Sequence, residues 1–187
     1  MVKRNTCVFI SGNGTNLKAL IENSRSYNFP IKIKLIVSNN KKAKGLFYAK
    51  KYSIPFIVLN SKSRLFEIKI LNRIKKEKIS LICLAGYMRI LSERFINTFN
   101  NPIFNIHPSL LPKFKGTNTF ERILKNREIK SGCTVHFVTK KLDAGKIILK
   151  KIFWINKNDN IDTLKKQTQK LEYKAYSEAI IRFSNNL

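Results

Sequence analysis

The sequence has few of the residues that build disulfide frameworks and metal centres. It contains three cysteines and two histidines in 187 residues. The cysteines, Cys7, Cys83 and Cys133, lie far apart and form no C-x-x-C pair, so neither a disulfide framework nor a zinc site is predicted. We expect three buried, reduced thiols and no metal cofactor.

Long apolar runs are also missing. No stretch approaches the roughly 20 apolar residues that span a bilayer, and residues 1–14 lack the apolar core and small-residue cleavage site of a secretory signal. Hydrophobic residues still make up 43% of the chain, which is enough to build a core. We therefore expect a cytoplasmic protein with no membrane partner, folded as a single domain over residues 1–187.

Acidic residues are scarce, since 11 Asp and Glu face 37 Lys and Arg, for a formal net charge of +26. One explanation is a field selected to bind nucleic acid or an anionic ligand. The other is compositional bias, because the excess is mostly lysine and accompanies abundant Asn, Ile and Phe. Both explanations stay open. A nucleic-acid-binding module predicts basic residues clustered with aromatic residues, whereas here they are dispersed along the chain, so we predict no nucleic-acid partner.

Short apolar strands alternate with amphipathic helices along the chain. This order predicts an α/β fold, doubly wound and Rossmann-like, with a mostly parallel mixed sheet. Only residues 140–145 separate the last two strands, which are therefore predicted to be antiparallel. Ligands are expected beyond the carboxyl ends of the parallel strands. The predicted strands are residues 5–11, 31–38, 55–60, 80–87, 102–107, 133–139 and 146–155, and the predicted helices are 16–23, 42–53, 63–78, 92–99, 120–126 and 161–183.

The loop between the first strand and the first helix reads SGNGTN, residues 11–16. Gly12 and Gly14 would let the backbone approach an anion, and Thr15 and Asn16 add donors at the N-terminus of the helix. The spacing matches neither the dinucleotide fingerprint nor the Walker pattern. A phosphate site and a tight turn before a capped helix are both compatible with it.

The fifth strand ends in NIH. Because side chains alternate along a strand, Asn105 and His107 are expected to share a face while Ile106 points into the core. A carboxamide donor beside an imidazole that can be cationic suits the stabilisation of an oxyanion. Pro108 then forces the chain off strand geometry into a loop. The alternative is a histidine satisfied by backbone groups at the end of a strand.

Four further residues bear on such a site. Asp143 lies in the turn LDAG, where an aspartate commonly bonds its own backbone; near His107, however, it would favour the protonated ring and could accept protons. His136 lies in the middle of a strand, and we predict a packed or supporting role. Glu172 and Tyr176 share a helix face by their spacing, which alone indicates little.

Four stretches in chain order carry a family resemblance: SGNGTNL, LAGYMRILS, NIHPSLLPKFKG, and TVHFV followed by LDAGKII. Together they resemble the phosphoribosylglycinamide formyltransferase family over about residues 7–183. The resemblance implies a metal-independent enzyme that moves the formyl group of 10-formyltetrahydrofolate to the amine of glycinamide ribonucleotide in purine biosynthesis, by direct attack through a tetrahedral intermediate. It also implies a formyltransferase fold whose N-terminal part binds the ribonucleotide phosphate and whose C-terminal part binds folate, as a monomer or homodimer.

The functional residues of that family map onto matching positions of this chain. Asn105, His107 and Asp143 look like its catalytic triad, in which the first two stabilise the oxyanion and the aspartate holds the histidine cationic and helps to move protons. The positions that resemble its substrate-binding residues are Gly14, Thr15, Asn16 and Glu172. Those that resemble its folate-binding residues are Arg64, Met88, Arg89, Ile90, Leu91, Asn105, Thr139, Lys140, Lys141, Leu142 and Asp143.

Two related enzymes share the catalytic block. Methionyl-tRNA formyltransferase carries a second C-terminal domain, for which 187 residues are too few. Formyltetrahydrofolate deformylase carries an N-terminal regulatory domain, whereas the first predicted strand here begins within a few residues of Met1. Chain length and the position of the first predicted strand therefore favour the phosphoribosylglycinamide formyltransferase type.

Overall fold

The computed structural model describes residues 3–59 and 65–185. Its strands are β1 (Arg4–Ile10), β2 (Ile31–Ser38), β3 (Phe56–Val58), β4 (Leu81–Leu84), β5 (Ile103–His107), β6 (Lys130–Phe137) and β7 (Ile147–Trp154). Its helices are α1 (Thr15–Ser24), α2 (Leu46–Lys51), α3 (Phe66–Lys76), α4 (Glu93–Phe99), α5 (Thr119–Lys125) and α6 (Ile161–Asn185). The strand order in the sheet is β3-β2-β1-β4-β5-β6-β7. The predicted α/β class with a mostly parallel mixed sheet is therefore confirmed.

The chain divides into two compact units, the first ending at Phe104 and the second beginning at Asn105. In the first unit, β1 pairs in parallel with β2 and β4, and β2 pairs in parallel with β3. All of β4 is buried, as is β1 from Thr6 to Ile10. Strands that are apolar on both faces need cover on both, which helices flanking a parallel sheet provide. The single domain expected from chain length stays a prediction.

Helix α2 is shorter than the sequence predicted, because residues 40–45 form turns instead. The side chain of Asn40 accepts the backbone N–H of Lys42 at 2.9 Å, and its carbonyl accepts the N–H of Ala43 at 3.1 Å. An asparagine that bonds the backbone two residues on is a common turn former. The helix begins only after Gly45.

In the second unit, β6 and β7 are antiparallel, as predicted. The backbone N–H of Phe137 donates to the carbonyl of Lys146 at 2.9 Å, which closes the connection between the two strands. Helix α6 packs against both of them. Its buried side chains fall on one face of the helix, as an amphipathic helix requires; they are Leu164, Thr168, Ala175, Tyr176, Ala179 and Ile180.

The expectations for cysteine hold, since Cys7, Cys83 and Cys133 are all buried and form no disulfide within the part of the chain that the structure describes. Within the two described segments, no helix is both long and apolar enough to cross a bilayer. The same segments contain no group of three or more His, Cys, Asp or Glu side chains arranged to hold a metal ion.

Candidate active site

Strand β5 carries two polar side chains at its carboxyl end. Ile106 is buried, Asn105 is half-buried and His107 is 5% exposed. A histidine so deeply buried needs partners for both ring nitrogens, since an unsatisfied buried polar group is costly. Those partners identify what surrounds it.

Both ring nitrogens of His107 face acceptors. Nε2 lies 2.8 Å from the carbonyl oxygen of Phe114, and because a carbonyl only accepts, Nε2 carries a hydrogen. Nδ1 lies 3.4 Å from Oδ2 of Asp143. One acceptor is a backbone group of the loop after β5, and the other is the side chain that sequence analysis singled out.

Asp143 lies in the turn between β6 and β7 and is 8% exposed. Its Oδ2 accepts the backbone N–H of Gly116 at 2.9 Å, while Oδ1 lies 3.6 Å from Nε2 of His136. Its φ of 45° is left-handed, which asparagine and aspartate tolerate better than most residues. The turn therefore aims the carboxylate at two histidines rather than at its own backbone.

His136 is 2% exposed on β6 and joins the other side of this group. Its Nδ1 lies 2.8 Å from the carbonyl oxygen of Phe137, and its Nε2 lies 3.2 Å from Nδ2 of Asn105. Burial lowers the pKa of His136 below its ordinary value, although the hydrogen bond to Phe137 and the charge of Asp143 act in the opposite direction. The ring is therefore held neutral at neutral pH.

These contacts bring Asn105, His107 and Asp143 into one buried cluster, with His136 as its fourth member. Asn105 contacts His136, and Asp143 approaches both histidines. The sequence predicts a packed or supporting role for His136, and in the structure its ring contacts the amide of Asn105. Side chains alternate along β6, so His136 is expected on the same face as Thr134. This alternation is the sequence feature that could have indicated the contact with Asn105.

The loop after β5 is fastened to β6 by hydrogen bonds that no motif indicates. Thr134 Oγ1 donates to the carbonyl of Ser109 at 2.6 Å and accepts the N–H of Leu111 at 3.1 Å. Further along, Phe114 and Gly116 have φ values of 57° and 78°. These left-handed residues turn the Phe114 carbonyl to His107 and the Gly116 N–H to Asp143.

In the first unit, the glycine loop is shaped by contact with another glycine. Gly14 has a φ of 72°, and a Cβ there would collide with the backbone of Gly45. The N–H of Gly45 donates to the carbonyl of Gly12 at 3.0 Å. Thr15 begins α1 and is half-buried, and Asn16 is buried.

Ser11 links this glycine loop to the segment Met88–Leu91. Its hydroxyl accepts the N–H of Met88 at 2.8 Å and donates to Oδ1 of Asn39 at 2.6 Å. Met88 and Ile90 expose apolar side chains, at 75% and 72%, whereas Leu91 is buried. This segment therefore presents two exposed apolar side chains beside a backbone N–H that Ser11 holds in place.

The remaining residues that the sequence predicts to bind a ligand lie in the turn between β6 and β7, on α6, and outside the described residues. Thr139, Lys140, Lys141 and Leu142 are exposed in the turn before Asp143. Glu172 is half-buried on α6, close enough to β6 that, after burial itself, its charge is the next cause raising the pKa of Cys133 to about 12. Arg64 lies outside the described residues.

Comparison with known proteins gives consistent matches. The profile of the family described as formyl transferase matches residues 4–180. The chain is 38% identical to phosphoribosylglycinamide formyltransferase from Haemophilus influenzae, covering 96% of this chain and 90% of that protein. It is 40% identical to the human trifunctional purine biosynthetic protein adenosine-3, of which it spans only 18%. The crystal structure of phosphoribosylglycinamide formyltransferase from Brucella melitensis matches with a TM-score of 0.91 and 37% identity, covering 97% of this chain and 95% of the other.

Proposed function

Because the chain belongs to the formyl transferase family, we propose that it moves the formyl group of 10-formyltetrahydrofolate to the amine of glycinamide ribonucleotide in purine biosynthesis. The observation that carries this proposal is the contact between Asp143 and His107, with Asn105 in the same buried cluster. Full-length relatives with that activity, such as the one from Haemophilus influenzae, support it. A folate-type formyl donor follows from the family, and 10-formyltetrahydrofolate is the proposed form.

Asn105 and His107 are proposed to stabilise the negative charge that forms on the formyl oxygen when the amine attacks. An amide N–H and a cationic ring both do this best when they are already oriented in a site that excludes water. Both ring nitrogens of His107 face acceptors, Phe114 O and Asp143 Oδ2, which is the pattern that a doubly protonated ring requires.

The carbonyl of Phe114 occupies the acceptor position at Nε2 of His107 that the formyl oxygen would take during the reaction. Nε2 of His107 donates to Phe114 at 2.8 Å, so donation to the formyl oxygen requires that hydrogen to leave the Phe114 carbonyl. Asp143 keeps its place in this exchange, because Gly116 and the two histidines surround its carboxylate. In the proposed step, Nε2 of His107 therefore exchanges the Phe114 carbonyl for the formyl oxygen as its acceptor, while Nδ1 stays against Asp143.

Asp143 has a second proposed role in moving protons. The attacking amine loses a proton as the new bond forms, and a carboxylate is a suitable acceptor, directly or through a water molecule. Asp143 is 8% exposed, which limits the exchange of that proton with bulk solvent. His107 would then stabilise the oxyanion while Asp143 receives the proton. The intermediate would collapse as the bond between the formyl carbon and the folate nitrogen breaks, and that nitrogen would take the proton back from Asp143, which leaves the carboxylate charged again.

The binding residues are proposed from their match to the family. Gly14, Thr15 and Asn16 would hold the substrate phosphate, since a glycine loop at the start of α1 presents backbone N–H groups to an anion. Glu172 would bind the amine end of the glycinamide group. The proposed folate contacts are Met88, Arg89, Ile90, Leu91, Asn105, Thr139, Lys140, Lys141, Leu142 and Asp143, together with Arg64.

The test is a steady-state assay of formyl transfer with both substrates, a blank without the ribonucleotide, and the His107→Asn variant. We expect turnover that needs both substrates and falls at least about 100-fold in the variant, the usual loss for one oxyanion donor. Hydrolysis of the folate without the ribonucleotide would identify a deformylase instead. Formylation of methionyl-tRNA, or no reaction with either acceptor, would also contradict the proposal.

The expectations about location, oligomeric state and other partners stay predictions. We expect a cytoplasmic monomer or homodimer that binds neither nucleic acid nor membranes. Size-exclusion chromatography with light scattering and a nucleic-acid binding titration over a range of salt concentrations would check these expectations.

A further inference from the structure

His136 makes two contacts that together select one tautomer of its ring. Nδ1 lies 2.8 Å from the carbonyl oxygen of Phe137, and because a carbonyl only accepts, Nδ1 carries a hydrogen. A neutral ring with its hydrogen on Nδ1 presents a lone pair on Nε2. That lone pair faces the amide of Asn105 at 3.2 Å.

A lone pair at Nε2 dictates which end of the Asn105 amide faces His136. An amide nitrogen donates and an amide oxygen accepts, so only the nitrogen makes a favourable contact there. A flipped amide would bring its oxygen against the lone pair of Nε2. The nitrogen has two hydrogens, and one of them satisfies His136 while the other is directed elsewhere.

We propose that His136, as the neutral tautomer with hydrogen on Nδ1, is a positioning residue that holds the Asn105 amide with its second N–H ready for the formyl oxygen. His136 itself touches no reacting atom. The use of that N–H in catalysis rests on the proposed function, whereas the tautomer and the amide orientation do not.

The charged and titratable groups around His136 bear on whether the ring stays neutral. They are Asp143, whose Oδ1 is 3.6 Å from Nε2, together with His107 and Lys115. Burial is the largest influence and lowers the pKa of His136; Phe137 and Asp143 raise it, and His107 and Lys115 lower it further. If acid protonates the ring, Nε2 becomes a donor directed at Asp143 and Asn105 loses the acceptor that orients it.

The tautomer can be measured directly without any substrate. The chain has two histidines, so a long-range proton–nitrogen NMR spectrum of the ¹⁵N-labelled protein contains two ring systems, and the His136→Gln variant identifies which belongs to His136. At pH 7.5 we expect the nitrogen shifts of a ring protonated at Nδ1 and bare at Nε2. A ring protonated at Nε2, or at both nitrogens, would overturn the proposal.

Two variants separate positioning from packing. In His136→Gln the side-chain amide reaches the place of Nε2 and can accept from Asn105, whereas in His136→Asn the shorter amide reaches only the place of Nδ1. We expect kcat to fall at least about tenfold in His136→Asn, less than the 100-fold or more of losing an oxyanion donor outright, with KM for both substrates within about threefold of wild type. His136→Gln should recover most of that loss.

An equal loss of kcat in both variants, or no loss in His136→Asn, would overturn the positioning role. Thermal unfolding of both variants checks the packing explanation, which predicts that activity follows stability rather than the reach of the side chain. If the wild-type chain transferred no formyl group, the proposed function would fail, and the NMR measurement would still decide the tautomer.

Discussion

The carboxylate of Asp143 and the ring of His107 meet although they come from different parts of the second unit, with Oδ2 of the aspartate 3.4 Å from Nδ1 of the histidine. His107 ends β5, and Asp143 lies in the turn between β6 and β7 with a φ of 45°. A left-handed conformation costs most residues roughly 1–2 kcal/mol. The turn adopts it at the residue whose carboxylate reaches the histidine, which agrees with the tendency of strained residues to occur at functional sites.

Replacing Asp143 by asparagine should separate its charge from its shape. Asparagine tolerates left-handed backbone, and its side-chain oxygen can still accept the N–H of Gly116, so we expect nearly unchanged unfolding. The variant cannot stabilise a cationic His107 or accept a proton, and kcat should fall at least about 100-fold. Initial rates and thermal melts check both expectations. Asp162→Asn, in which the native carboxylate is 82% exposed, is the matched control and should keep full activity.

Replacing Gly45 by alanine should displace the backbone of the glycine loop, although Gly45 itself is not a proposed ligand-binding residue. A Cβ there would lie 2.9 Å from Cα of Gly14 and 2.8 Å from Cδ1 of Ile10. We expect a destabilisation of about 1–3 kcal/mol, as for overpacking, and a KM for the ribonucleotide at least about tenfold higher, because misplacing a substrate by about 1 Å is costly. Denaturant titration and steady-state kinetics measure the two effects.

Gly12→Ala is the stability control for this prediction, since a Cβ at Gly12 has open space around it. An unchanged KM for the ribonucleotide in Gly45→Ala, together with lowered stability, would show that the glycine loop does not bind that substrate.

Most of the secondary structure follows from local patterns. Strand β2 matches its prediction at both ends because Ile31–Ser38 alternates apolar residues with Lys32 and Lys34, continues as an apolar run, and is bounded by turn residues. The start of α2 was missed because Asn40 turns the chain through hydrogen bonds to Lys42 and Ala43, and because Gly45 packs against Gly14, a contact between distant segments. Helical spacing alone therefore predicts that this helix exists but not the residue at which it begins.

The candidate site divides in the same way. The alternation along β5 predicts that Asn105 and His107 share a face, and both reach one cluster. The carbonyl of Phe114 that accepts from His107 depends on a left-handed φ at a phenylalanine, which no propensity predicts. Resemblance to a family supplied Asp143, because an aspartate in a turn has an ordinary local explanation.

The ion pair between Glu178 on α6 and Lys151 on β7 should make stability depend on pH. The hydrogen bond and charge of Lys151, helped by Arg182, lower the pKa of the Glu178 carboxyl. A carboxyl whose folded pKa lies below its unfolded value, about 4.3, stabilises the fold above that value and loses this contribution as the pH falls through the folded pKa.

Glu178→Gln should therefore be less stable than wild type at neutral pH by up to about 1 kcal/mol, the usual limit for an exposed pair. The difference should disappear in strong acid, where both proteins are neutral at this position. Urea titrations at neutral and acidic pH measure it, with Glu22→Gln as control because that carboxylate is 50% exposed and 3.8 Å from Lys18. A difference that persists unchanged in acid would point to packing rather than charge.

The net charge of +26 makes a prediction that separates its two explanations. Both proposed substrates are anions, and a positive field raises the rate at which anions are captured, an effect that salt screens over a Debye length of about 10 Å at 0.1 M. If the field is functional, kcat/KM for the ribonucleotide should fall several-fold between about 20 and 200 mM potassium chloride. The value of kcat should change little, because His107 and Asp143 are buried and salt screens buried charges weakly. Repeating the series in sucrose at matched viscosity controls for diffusion. A kcat/KM that is insensitive to salt would assign the lysine excess to compositional bias, and a parallel fall in kcat would place the salt effect on the protein rather than on capture.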